Sequence, residues 1–188
     1  MEAILQKEIV VNKPLCRIIA VFTFVVFTSL GAFVRIPLPF TPVPLTLQTF
    51  FVLLSGAFLG SGLGALTQLS YVLLGVYGLP IFTGAGSGLI YLLGPTGGYL
   101  LGFVLASLFA GRMLRYAKGS LLCVFAIFSI ADFLLLACGT IWLKILLSQS
   151  FSRALSLGFI PFIPGDLLKA GAASFIYLKM SSRLKGVL

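Results

Sequence analysis

Between Arg17 and Met180 the chain passes through one apolar stretch after another, with scarcely a charge to interrupt them. Water-facing surface needs charge, and soluble domains carry about a quarter charged residues. Here only 9% of 188 residues are charged and 60% are hydrophobic. Such a chain cannot cover a water-facing surface and is expected to live in a bilayer. In a soluble protein the formal net charge of +9 would suggest nucleic acid. The basic residues instead flank the apolar runs, as Lys and Arg do on the cytoplasmic side of membrane proteins.

A spanning helix needs about 20 mostly apolar residues. The runs predict an all-α bundle of six spans. They cover about 17–34, a short stretch at 45–59, a third from the turn Gly60-Ser61-Gly62 to Tyr77, then 98–112, 120–143 and 164–180. Four prolines within 36–44 resist helix, since proline lacks an N–H donor. Residues 78–88 are apolar yet full of helix breakers. A short re-entrant piece over 88–93 is expected before Gly94-Pro95-Thr96-Gly97-Gly98 breaks the chain again. One membrane domain is expected, with an N-terminal arm at 1–16, the bundle at 17–180 and a tail at 181–188.

Basic residues set the orientation. Lys7, Lys13, Arg17, Arg112, Arg115, Lys118, Lys179, Arg183 and Lys185 fall on one side of a six-span chain. Arg35, Lys144 and Arg153 fall on the other, a ratio of nine to three. The richer side is predicted cytoplasmic, with both termini, in an inner (plasma) membrane. The first apolar run is not expected to be a cleaved signal, because more membrane sequence follows it. Cys16, Cys123 and Cys138 are widely spaced and, in a chain without histidine, are expected to fill apolar space. Gly98, Gly102, Ala106 and Ala110 form a ridge of small residues, expected to let helices inside the bundle approach closely.

Of four acidic residues, Glu2 and Glu8 lie in the polar arm, while Asp132 and Asp166 lie in apolar sequence. Asp166 opens the last span, and Lys169 follows on the same helical face. An ionisable group at mid-bilayer costs about 2.5 to 3.5 kcal/mol on insertion scales. Two together therefore suggest a purpose, ligand binding ahead of a structural ion pair. Pro164-Gly165 places the pair at a helix N-terminus, where free N–H groups favour an anion. Asp132 is open to two readings, facing a cavity or bonding another helix. Trp142 is equally open, as an interface anchor or a surface stacked on a ligand. The glycine-rich segment 78–88 can present its backbone to a ligand, since irregular backbone at membrane depth survives only in protein or around a cavity.

Enzyme chemistry has little to work with. No histidine, no G-x-S-x-G elbow and no metal-ligand cluster is present, and Ser87 in Gly86-Ser87-Gly88 has no candidate base except Lys169. An intramembrane enzyme is the remote alternative, and no cofactor is expected. No Walker P-loop is present, so ATP hydrolysis by that route is excluded. Sparse polar residues favour a closed pocket over a channel.

Four stretches carry a resemblance. They are Thr41-Pro42-Val43-Pro44-Leu45-Thr46-Leu47-Gln48-Thr49, Gly78-Leu79-Pro80-Ile81-Phe82, Gly94-Pro95-Thr96-Gly97-Gly98-Tyr99-Leu100 and Ile163-Pro164-Gly165-Asp166-Leu167-Leu168-Lys169-Ala170. In order and spacing they resemble the BioY family, the biotin-binding S components of energy-coupling factor (ECF) transporters. The resemblance implies a six-helix S-component fold and biotin as substrate. It also implies a transmembrane coupling protein and two cytoplasmic ATPases as partners. Biotin has a polar ureido ring, an apolar thioether body and a carboxylate tail. Asp166 suits the ureido N–H groups, and Lys169 suits either the carboxylate or the ureido oxygen. Phe82, Tyr91 and Trp142 suit the apolar body, beside Thr83 and Gly84 of the glycine-rich segment. S components often dock through an Ala-x-x-x-Ala pattern in the first helix. This helix offers Ala20, Thr28 and Ala32, with Phe24 interrupting. A solitary biotin transporter, or an S component for another small vitamin, are the alternatives.

Overall fold

The computed structural model describes residues 13–117 and 119–184. α1 (Lys13–Phe33) leads into a two-residue antiparallel ladder, β1 (Arg35–Ile36) against β2 (Leu45–Thr46). α2 (Gln48–Val76), a short α3 (Gly88–Leu92), α4 (Gly97–Met113) and α5 (Leu121–Leu146) follow. A short α6 (Phe151–Gly158) and the last helix, α7 (Ile163–Leu184), complete the order. The expected arm and tail therefore yield their inner ends to helix. Glu2, Lys7, Glu8, Lys118 and Lys185 lie outside the described residues.

α2 is a hairpin, because its helical run is broken at Gly60, with φ +78° and ψ 175°. Only glycine adopts that backbone without strain. Gln68 Nε2 donates to Ser55 Oγ at 2.9 Å, and Gln48 Nε2 donates to the Tyr71 hydroxyl at 2.6 Å. In a straight helix those residues would stand about 20 and about 35 Å apart. The arms 48–59 and 61–76 thus run antiparallel and are the two spans expected there, joined at the expected turn. Among the described residues five helices are long and apolar enough to span a membrane, and the hairpin supplies two of the six crossings.

The first arm is only about 18 Å long, short of a hydrocarbon core of about 30 Å. The base of the proline link before it is held by protein. Leu47 N–H lies 3.2 Å from the Gly31 carbonyl and 3.1 Å from that of Val34. The short helix expected near 88–93 is present as α3, and the last four spans begin and end within a few residues of expectation. α6 was not expected. It is too short and too polar to show as a span, and Ser150 caps it by accepting from Arg153 N–H.

Apolar side chains such as Ile18, Phe22, Leu122, Ile145 and Leu168 cover the outside, whereas Gln68, Ser55, Ser107 and Thr28 are buried. That inversion suits lipid, where polar groups must be satisfied inside. Ser55 and Ser107 hydroxyls meet at 3.0 Å between the hairpin and α4. The small-residue ridge packs internally, as expected. Gly98 sits against Trp142, Gly102 against Leu135 and Cys138, and Ala106 and Ala110 are fully buried.

Candidate binding site

At one end of the bundle the proline link, the glycine-rich loop and the start of α7 surround a pocket. Its enclosed cavity is small, about 40 Å³, and opens through a mouth. One part of the lining is apolar, with Leu100, Phe103, Leu135, Leu136 and Phe162. Another is polar and begins with Asp166, which is 2% exposed.

Asp166 and Lys169 form an ion pair at 2.5 Å, one turn apart at the head of α7. Lys169 Nζ also donates to Thr49 Oγ1 at 2.5 Å and to the Thr46 carbonyl at 3.0 Å. Thr49 Oγ1 in turn donates to Asp166 Oδ1 at 3.4 Å. The pair thereby ties α7 to the head of α2. Beside it, Gln48 Oε1 accepts from Thr46 and from Thr83, both at 3.2 Å. Tyr71 accepts from Gln48 and donates to the Ile81 carbonyl at 3.0 Å. Tyr91 donates to the Thr83 carbonyl at 3.1 Å, which holds the glycine-rich loop over the pocket.

Of the residues singled out from sequence, Asp166, Lys169, Thr83 and Tyr91 line this pocket together. Phe82, Gly84 and Trp142 do not. Phe82 is fully buried behind Tyr91, its ring stacked at 5.0 Å. Gly84 faces the Arg35 guanidinium. Trp142 is not on the lining: its Nε1 donates to the Gly94 carbonyl at 2.9 Å and pins the loop ahead of α4. Asp132 stands in α5 one turn before Leu135 and Leu136, which line the pocket. It is 1% exposed, off the lining, and its oxygens have no protein partner among the described residues. Thr46, Gln48, Thr49 and Tyr99 line the pocket without having been singled out. Their signal was a polar cluster at the head of an apolar run, where buried polar groups are costly.

Residues 6–186 match the family model for the BioY family. The chain belongs to the BioY family. Two BioY relatives are each 40% identical. A probable biotin transporter of Pyrococcus horikoshii aligns over 87% of this chain and 92% of its own. A biotin transporter of Thermotoga maritima aligns over 82% and 91%. Among solved structures, the S-component for biotin from an ECF-type ABC transporter matches with a TM-score of 0.85 and 25% identity. That match covers 91% of this BioY chain and 93% of the other. The six crossings are therefore those of an S component, and the chain is a multi-pass membrane protein.

Proposed function

We propose that this chain binds biotin and serves as the substrate-binding S component of an ECF importer in the plasma membrane. One observation carries the reading: a pocket whose apolar wall ends on the Asp166–Lys169 pair, which suits a ligand with an apolar body and a polar ring. The family and the relatives named as biotin transporters support it. Binding of radiolabelled biotin to the purified chain tests it. One biotin per chain is expected, displaced by cold biotin and not by thiamine or riboflavin. Displacement by another vitamin in place of biotin would reassign the substrate.

Both termini face the cytoplasm in this reading, on the strength of the nine-to-three basic asymmetry. The pocket then opens outward. Ser120 is exposed in the link before α5, on the basic side. In a chain whose native cysteines are replaced, Ser120→Cys is expected to react with an impermeant maleimide only in permeabilised cells. Equal labelling of intact cells would reverse the orientation.

A solitary biotin transporter is the second reading. It draws on Thr28 and Ala32 of the first-helix register, both fully buried and so withdrawn from docking. Thr28 instead accepts from Gln68 at 3.4 Å.

A further inference from the structure

The polar end of the pocket has no spare cation. An ammonium carries three donors, and Lys169 directs them at Asp166, Thr49 and the Thr46 carbonyl. Both bonds to Asp166 fall on Oδ1, so Oδ2 is left as an acceptor. A carboxylate entering here would find no free donor on Lys169 and would lie against a second carboxylate. A ureido N–H would find Oδ2.

A free cation stands at the mouth instead. A second depression of about 370 Å³ adjoins the pocket, and Pro44, Thr83, Tyr91 and Thr96 line both. Arg35 lines that depression. It pairs with Thr46 across the ladder, and directly opposed residues put their side chains on the same face. Thr46 lines the pocket, so the ladder turns Arg35 toward the same side. Its guanidinium lies against Gly84, where a Cβ would meet Nη1 at 2.6 Å. Gly84 also has φ +73°, so any other residue there would be strained as well as obstructive. Among the described residues Arg35 has no ion pair and no side-chain hydrogen bond. Its fork of donors matches a carboxylate bidentately.

We infer that Arg35, seated on Gly84 at the mouth, binds the carboxylate tail of the ligand, while the ureido ring goes inward to Asp166. This rests on the biotin reading above and fixes the direction in which the ligand lies. Lys169 then acts as a positioning residue that orients Asp166.

Biotin and its methyl ester, bound to full-length wild type, Arg35→Gln and Arg35→Lys, test it. Wild type is expected to prefer biotin to the ester by about tenfold or more, as loss of a charge-assisted hydrogen bond implies. In Arg35→Gln that preference should disappear, with ester affinity unchanged. Arg35→Lys should recover part of it, because it keeps the charge and loses the fork. An Arg35→Gln chain that still prefers biotin as wild type does would overturn the assignment. So would equal weakening of both ligands, or a wild type indifferent to the ester. A wild type that binds neither ligand rejects the biotin reading itself.

Discussion

Asp166→Ala is expected to weaken biotin binding by at least about tenfold and to lower the thermal stability of the chain as well. Asp166 is 2% exposed, and its carboxylate both partners Lys169 and faces the pocket. Removing one member of a buried pair strands the other, at a cost of about 3 to 5 kcal/mol. Lys169→Ala should therefore destabilise the chain too, and the double alanine variant should be more stable than either single one. Affinity should behave differently. The double variant lacks the acceptor for the ureido group, so its binding should stay weak. Asp166→Asn keeps the shape and loses the charge, separating hydrogen bonding from electrostatics. Melting curves and binding isotherms on the four variants decide the matter. If both single alanine variants fold, insert and bind biotin as wild type does, the site lies elsewhere.

Uphill accumulation of biotin is expected to fail altogether when this chain is reconstituted alone, although binding persists. The 188 residues contain no Walker P-loop, so the work of concentration has no source within them. Sealed vesicles holding the purified chain, with ionophores present to abolish ion gradients, should not raise internal biotin above the external level. Adding a coupling protein with two ATPases, and ATP on the cytoplasmic face, should start accumulation. Accumulation by the chain alone under those conditions would remove the ECF reading. Accumulation alone that ionophores abolish would favour the solitary, ion-driven transporter. The buried Thr28 and Ala32 bear on this outcome, because a docking surface there would have to use other residues of α1.

Fold and site differ in how far a linear reading could reach. Apolar run length is a one-dimensional property, and it determines the bilayer, the number of crossings and the breaks at the prolines and glycines. Charge scarcity likewise singles out Asp166 and Lys169, since their cost in an apolar environment does not depend on what packs around them. Their helical spacing alone puts them one turn apart. The hairpin at Gly60 was foreseen as a turn. That its arms bond Gln48 to Tyr71 and Gln68 to Ser55 depends on how two helices lie together, which spacing does not encode. The same limit explains Phe82 and Trp142. Both belong to types that stack on ligands, yet one packs behind Tyr91 and the other pins Gly94. Orientation around a helix and the path of a loop decide which face meets the cavity. Sequence alone thus determined a six-crossing membrane chain with one costly charged pair. Only tertiary structure decided that Thr46 and Thr49 saturate Lys169, and that a two-residue ladder and Gly84 bring Arg35 to the pocket mouth. The physical reason is that hydrogen bonds between residues far apart in sequence form only where packing brings the chain back on itself.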